Sequence, residues 1–406
     1  MPVRILVVDD SVVIRKLLTT TLGEVPGLEV VATAARGKIA QVHPDIVILD
    51  VEMPEMDGIE TLKQIRKAAP RLPVIMFSTR TERGAVATIE ALTSGASDYV
   101  PKPSNVGNVL IAMARVREEM VPKILALTSG ARSASLKRPT TPTASATAIP
   151  AMTAPATTPL PVAAPGTRPV ARVTSQPIAR PRVTTANPLV MLEGPIRLSR
   201  PGGPRVPVAI VAIGASTGGP NALAELLAEL PAEFPVPIVI VQHMLATFTR
   251  PFAERLASQC RIKIVEATVG DLLIAGHAYI ARGDHHLLVE RRAGRAGLAM
   301  NQDQVENFCR PAVDVLFRSV AQSYGASALA IVLTGMGHDG LLGCAAIRDA
   351  GGDVIVQDEA TSVVWGMPGF VARAGLASQV MPLAQLSGEV RRRIAFGGPR
   401  AGEPRP

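Results

Sequence analysis

Short apolar runs alternate with longer stretches of helical spacing in two separate parts of the chain. In residues 1–122, Arg4–Val8, Leu28–Thr33, Ile46–Leu49, Val74–Phe77 and Asp98–Val100 read as strands. Val12–Leu22, Gly58–Ala68, Gly84–Ser94 and Asn105–Met120 between them read as helices. A βαβ series of this kind predicts a doubly wound parallel sheet with helices on both faces. Residues 206–396 repeat the grammar. Their strands are Val208–Ile213, Ile238–Val241, Ala278–Ile280, Leu329–Leu333 and Asp353–Val356, and their helices include Asn221–Leu230, Phe252–Gln259, Ala312–Ser323 and Leu341–Ala350. Both parts are α/β, the second with a mainly parallel sheet. Only about ten residues, Ala35–Pro44, join the second and third strands, so a crossover helix there is expected to be a turn or so long.

The pattern lapses in between. Residues 131–205 hold 14 of the 35 prolines, many Ala and Thr, and no aromatic residue. Such a segment buries too little surface to offset its ordering entropy. The expected organisation is a domain over 1–122, a disordered basic linker over 123–205, a domain over 206–396 and a tail over 397–406. Charge follows the same division. The net +8 and the pI near 9.8 suggest a nucleic-acid partner at first sight. Residues 1–130 carry 15 basic and 15 acidic groups, 131–205 carry ten and one, and 206–406 carry 17 and 18. The excess charge lies entirely in the linker, no helix-turn-helix pattern is evident, and no nucleic-acid binding is expected. The longest apolar runs are far short of the roughly 20 residues that span a bilayer, so no membrane insertion is expected. The N-terminus does not read as a signal peptide. Three scattered cysteines fit a reducing, cytoplasmic setting. A monomer is expected.

Ligands of open parallel sheets bind at the carboxyl ends of the strands. In the first domain those ends carry Asp9 and Asp10, Asp50, Ser78 and Thr79, and the run Tyr99-Val100-Pro101-Lys102-Pro103. Converging carboxylates repel unless a cation bridges them, and an oxygen-rich site suits Mg²⁺. With Mg²⁺ and Lys102 to neutralise a phosphoryl group, Asp50 is the expected nucleophile of an aspartyl phosphate. Acidic strand ends that merely cap helices are the commoner single case; five positions on four strand ends argue against that here.

In the second domain, the first strand runs into Gly214-Ala215-Ser216-Thr217-Gly218-Gly219-Pro220 and then a helix. A serine on such a turn is exposed at the sheet edge, beside amides that can stabilise an oxyanion. The next strand ends in Gln242-His243-Met244, and the fourth in Thr334-Gly335-Met336-Gly337-His338-Asp339. These ends offer Ser216, His243 and Asp339 for a serine triad. The Gly-x-Ser-x-Gly spacing also fits the nucleophile elbow of α/β-hydrolases, whose order would recruit His338 with Asp271 or Asp284.

Residues 1–122 resemble a two-component receiver domain. The match rests on Asp9-Asp10-Ser11, Leu49-Asp50-Val51-Glu52-Met53-Pro54, Met56-Asp57-Gly58 and Lys102-Pro103. The resemblance implies Asp50 as phospho-acceptor, Asp9 and Asp10 with it around Mg²⁺, Ser78 as switch hydroxyl and Tyr99 as switch aromatic. Residues 206–396 resemble the catalytic domain of the chemotaxis methylesterase (CheB) family. The motifs are Ile213–Gly219, Gln242-His243-Met244, Phe248-Thr249, Pro311–Phe317, Leu333–Gly340, Gln357–Ser362 and Trp365-Gly366-Met367-Pro368. Leu245, Arg282 and Ala312 depart from that family's usual residues. The resemblance implies the triad Ser216, His243 and Asp339, with Thr217 and Met336 as oxyanion or supporting groups and no cofactor for the esterase. The implied function is phosphorylation-regulated hydrolysis of glutamyl 5-methyl esters on methyl-accepting chemoreceptors, with deamidation of receptor glutamines. A histidine kinase is the implied phosphodonor. An esterase for another substrate and a silent receptor-binding module are the rivals.

Overall fold

The computed structural model describes residues 1–34, 42–53, 58–103, 109–136, 196, 198–199, 206–292 and 294–395. Most of the expected linker, the 35–41 crossover, part of the Met56-Asp57-Gly58 motif and the tail fall outside them.

The N-terminal sheet contains β1 (Val3–Val8), β2 (Leu28–Ala34), β3 (Ile46–Asp50), β4 (Val74–Ser78) and β5 (Asp98–Pro101) in the order β2-β1-β3-β4-β5. Every pairing is parallel. Alternate residues of each strand point to opposite faces. Val3, Ile5, Val7, Ile46, Ile48, Ile75 and Phe77 pack with α1 (Val12–Gly23) and the domain's last helix. Leu6, Val8, Val47, Leu49, Val74 and Met76 pack with α2 (Gly58–Ala68) and α3 (Glu82–Thr93). That is the expected doubly wound receiver architecture.

The boundary at residue 122 needs correction. Helix α4 runs Val109–Leu136, through Pro122 and into the segment expected as linker. Proline is a stop signal because it lacks the amide hydrogen. Here Val116, Met120, Ile124 and Leu127 recur on one buried face, and that burial outweighs the lost bond.

The second sheet has seven strands, all parallel. They are β6 (Ile210–Ala215), β7 (Ile238–Gln242), β8 (Lys263–Glu266), β9 (His277–Ile280), β12 (Ala328–Val332), β13 (Asp353–Gln357) and β14 (Gln379–Met381), in the order β14-β13-β12-β6-β7-β9-β8. A separate antiparallel hairpin, β10 (His286–Arg292) with β11 (Arg295–Asn301), lies against α7 (Val313–Tyr324). Helices α5 (Gly219–Ala228), α6 (Ala246–Ala257), α8 (Leu341–Asp349), α9 (Met367–Arg373) and α10 (Leu383–Ala395) complete the domain. Helix α6 begins well before the expected Phe252, because Phe248 and Phe252 form one buried stripe across Pro251. The strand order reverses direction at β6, and a ligand crevice is expected at such a switch point.

The two domains touch. Helix α3 packs on α5 and α6, and the apolar cluster on the α2/α3 side of the receiver runs without a break into the second domain. No helix among the described residues is long and apolar enough to cross a membrane.

Candidate active site

The three strands that meet at the switch point carry the three expected residues. Ser216 follows β6, His243 follows β7 and Asp339 lies in the loop after β12. Ala215 pairs with Gln242 across the sheet, so the next residues, Ser216 and His243, stand side by side. The turn after Ser216 requires glycine at 218, where φ is +79° and a Cβ would lie 2.6 Å from the Val363 side chain. Gly335 lets the β12 loop pass close to the serine, since a Cβ there would sit 2.8 Å from Ser216 Cβ.

Asp339 and His243 are in direct contact, with His243 Nε2 2.8 Å from Asp339 Oδ2. That carboxylate accepts four more hydrogen bonds. Val313 N donates to Oδ2 at 2.6 Å, while Asp314 N, Gly340 N and Asn307 Nδ2 donate to Oδ1 at 3.0, 3.0 and 2.8 Å. Val313 and Asp314 open α7, whose cap residue Ala312 has no side-chain acceptor; Asp339 supplies it instead. Burial alone would raise the Asp339 carboxyl, but His243 and the α7 amides hold it below the usual range. The neighbouring Asp314 is pushed up to about 6 by burial and by the Asp339 charge. The Asn307 amide bridges the two carboxylates.

The other ring nitrogen, His243 Nδ1, faces Cys309 Sγ at 3.5 Å. Burial disfavours the imidazolium, yet Cys309 and Asp339 outweigh it and push His243 up to about 10. Among the described residues, Ser216 Oγ makes no hydrogen bond within the chain. The Thr217 and Met336 amides likewise donate none. The rival set does not assemble. The His338 ring packs edge-on against Phe370, Asp284 pairs with Arg310, and Asp271 accepts from Thr268 N.

The receiver's carboxylates also converge. Asp9, Asp10 and Asp50 each bring an oxygen within 4.8 Å of the others. Lys102 Nζ lies 2.7 Å from Asp50 Oδ2 and 3.1 Å from Asp9 Oδ2. Those two buried oxygens face the Lys102 ammonium, and a hard cation would add to the charge that holds the carboxylates together. Ser78 turns away from the pocket, donating to Thr79 O and Gly84 O and accepting from Thr88 Oγ1 at 2.6 Å.

Burial, with the Asp9 charge adding and Lys102 opposing, pushes Asp50 up to about 6. The folded value exceeds the unfolded one, so between pH 4 and 6 the folded state binds more protons and stability falls as pH rises. In metal-free protein, Asp50→Asn is expected to flatten that slope and raise stability at neutral pH by up to about 3 kcal/mol. Denaturant melts across this window test it, and an unchanged slope would sink the assignment.

Tyr99 does not face the pocket. It points into the second domain, where its ring packs on Phe248 at 4.6 Å and its hydroxyl accepts from Leu245 N at 3.2 Å. Asp98 Oδ2 accepts from Thr217 Oγ1 at 2.5 Å, and Ser97 O accepts from Gly218 N at 3.2 Å. Asn221 Nδ2 donates to Ala96 O, and Arg255 Nε to Thr93 Oγ1. One receiver edge thus holds both the turn after Ser216 and the residues after His243. The expected residues did not include Asp98, Asn307, Cys309 or Asp314. Three of them lie in loops or at a strand start without a periodic signal.

Comparison with known proteins identifies the families of the two domains. Residues 211–390 match the model of the CheB methylesterase family, and residues 5–114 that of the response regulator receiver domain. A protein-glutamate methylesterase/protein-glutamine glutaminase of Trichodesmium erythraeum is 46% identical over 396 residues, covering 96% of this chain and 99% of its own. One from a Nocardioides species is also 46% identical, covering 97% and 96%. The crystal structure of the Thermotoga maritima CheB methylesterase catalytic domain is 39% identical, covering 47% of this chain and all of its own, with a TM-score of 0.45. With its receiver and methylesterase domains in that order and relatives alike over nearly its whole length, the chain belongs to the CheB family of receiver-linked methylesterases.

Proposed function

We propose that Ser216, His243 and Asp339 hydrolyse glutamyl 5-methyl esters on the cytoplasmic helices of chemoreceptors. The observation that carries this is the His243–Asp339 contact at 2.8 Å, with Ser216 beside it on the neighbouring strand. His243 acts as base in its neutral form, with the hydrogen on Nε2 facing Asp339 and Nδ1 as the acceptor. Ser216 Oγ attacks the ester carbonyl, and its proton passes to Nδ1. Asp339 holds the Nε2 hydrogen and stabilises the imidazolium that forms. The unpaired amides of Thr217 and Met336 are the groups available to the oxyanion. The proton then goes to the departing methoxide, which leaves as methanol. Water, activated by the same histidine, releases glutamate and restores Ser216. A glutamine side chain passes through the same tetrahedral species and loses ammonia.

Asp50 takes a phosphoryl group from a histidine kinase in the same compartment, with Lys102 beside it. Asp9, Asp10 and Asp50 would hold Mg²⁺, which when bound neutralises phosphate charge. The unphosphorylated receiver restrains the esterase, a reading supported by the Ser97–Tyr99 contacts to both catalytic turns.

Methanol release from methylated receptor membranes, with and without a small phosphodonor and Mg²⁺, tests both parts. Release is expected to rise with the phosphodonor, and Asp50→Ala is expected to remove the rise. An Asp50→Ala protein that remains fully stimulated refutes the regulatory part. Combining Asn221→Ala with Arg255→Ala removes two bonds across the interface. Unphosphorylated release should then rise roughly five- to tenfold, given about 1 kcal/mol for the better bond.

A further inference from the structure

Cys309 stands beside the base His243 and takes no part in the proposed reaction. The geometry points to a second use: His243 Nδ1 and Cys309 Sγ together bind a borderline-soft divalent cation such as Zn²⁺, and the bound ion switches the esterase off. The inhibitory half rests on the triad reading above; the binding half does not.

The donor spacing carries the case. In a tetrahedral zinc site the metal stands about 2.3 Å from sulfur and about 2.0–2.1 Å from nitrogen, which separates the two donors by about 3.5 Å. Sγ and Nδ1 are 3.5 Å apart here. The far side of the ring is already arranged for a metal ligand. Asp339 Oδ2 engages Nε2 at 2.8 Å, fixing the tautomer that leaves the Nδ1 lone pair facing the sulfur. Both donors are held in place. Cys309 is pinned by paired backbone bonds with Glu306, at 2.9 and 3.1 Å, and the intervening Asn307 is tied to Asp314 and Asp339. Asp339 and Asp314 also lend the site negative charge. Both are too well hydrogen-bonded to leave their own partners.

The proton balance is simple. Binding expels the thiol proton and any proton on Nδ1, and the thiolate and the neutral imidazole become ligands. Two positions on the ion stay open to water. The nitrogen that must accept the Ser216 proton is then occupied, and turnover stops.

The test uses the full-length, reduced, metal-free protein. Cobalt(II) is titrated as a spectroscopic probe for thiolate-to-metal absorption, and Zn²⁺ is titrated against methanol release, each variant normalised to its own metal-free rate. Wild type is expected to show the cobalt band and to be inhibited by zinc. In Cys309→Ala and Cys309→Ser the band is lost. The inhibiting zinc concentration rises by more than the roughly 10–100-fold that loss of even an outer partner costs. A cobalt band that survives in both Cys309 variants, or no band in wild type, overturns the site. So does unchanged zinc sensitivity in those variants. If wild type releases no methanol at all, the triad reading fails while the cobalt titration still decides the metal site.

Discussion

Ser216→Ala and His243→Ala are each expected to reduce methanol release by roughly 10⁶-fold, and the double variant to be no worse than either alone. Residues that act as one unit show this non-additivity, since either deletion removes the same attack step. The histidine is the discriminating member. His338 stands in the same loop as Asp339 and fits a rival elbow-type reading from its spacing. Its ring nevertheless packs against Phe370, 5.8 Å between centroids, and no carboxylate of the rival set reaches it. His338→Ala should therefore keep most of the activity. Abolition by His338→Ala with survival of His243→Ala would reverse the assignment of the base.

The second large effect is expected at Asp339. Asp339→Asn should lower kcat by roughly 10⁴-fold with little change in KM, because an amide cannot hold the Nε2 hydrogen of His243 and turns the ring to the wrong tautomer. The environment sharpens this. All five hydrogen bonds to the Asp339 carboxylate come from donors. An amide nitrogen in either position would face an N–H, with the 2.6 Å contact to Val313 N the least forgiving. A loss of stability is expected beside the loss of rate, because α7 depends on this side chain for its cap. Single-turnover kinetics on folded protein separate the two. An acylation rate close to wild type would remove Asp339 from the mechanism.

The chemistry of both pockets was legible in the sequence because it lies at strand ends. An apolar run that stops on Asp50, just before Gln242-His243 or just before Ser216 fixes where the side chain emerges, whatever the neighbouring helices do. The β10–β11 hairpin, β8 and β14 were not legible as strands. Lys263–Glu266 and Arg295–Asn301 are short, half exposed and rich in charge or small residues, and only pairing with neighbours makes them strands. Helices run through proline twice, at Pro122 and Pro251, where burial of Ile124 and of Phe248 with Phe252 outweighs the lost backbone bond. Cys309 is one of three scattered cysteines in the sequence. Its place beside His243 depends on a two-residue turn in which Asn307 and Phe308 both have positive φ, at 53° and 62°. Asn tolerates that backbone, but Phe rarely adopts it, and no sequence pattern marks the pair as a turn.

The receiver edge that holds Thr217, Gly218 and Leu245 has one more consequence, which follows from thermodynamic linkage. A closed arrangement that weakens access to Ser216 and is itself weakened by a phosphoryl group on Asp50 couples two binding equilibria through one free energy. The coupling has no direction. A ligand that fills the Ser216 crevice only when the receiver has swung away tightens the receiver's hold on a phosphate mimic by the same factor. A receptor segment engaged by the esterase would in this way ready the receiver that governs it, and the substrate becomes a participant in its own signal.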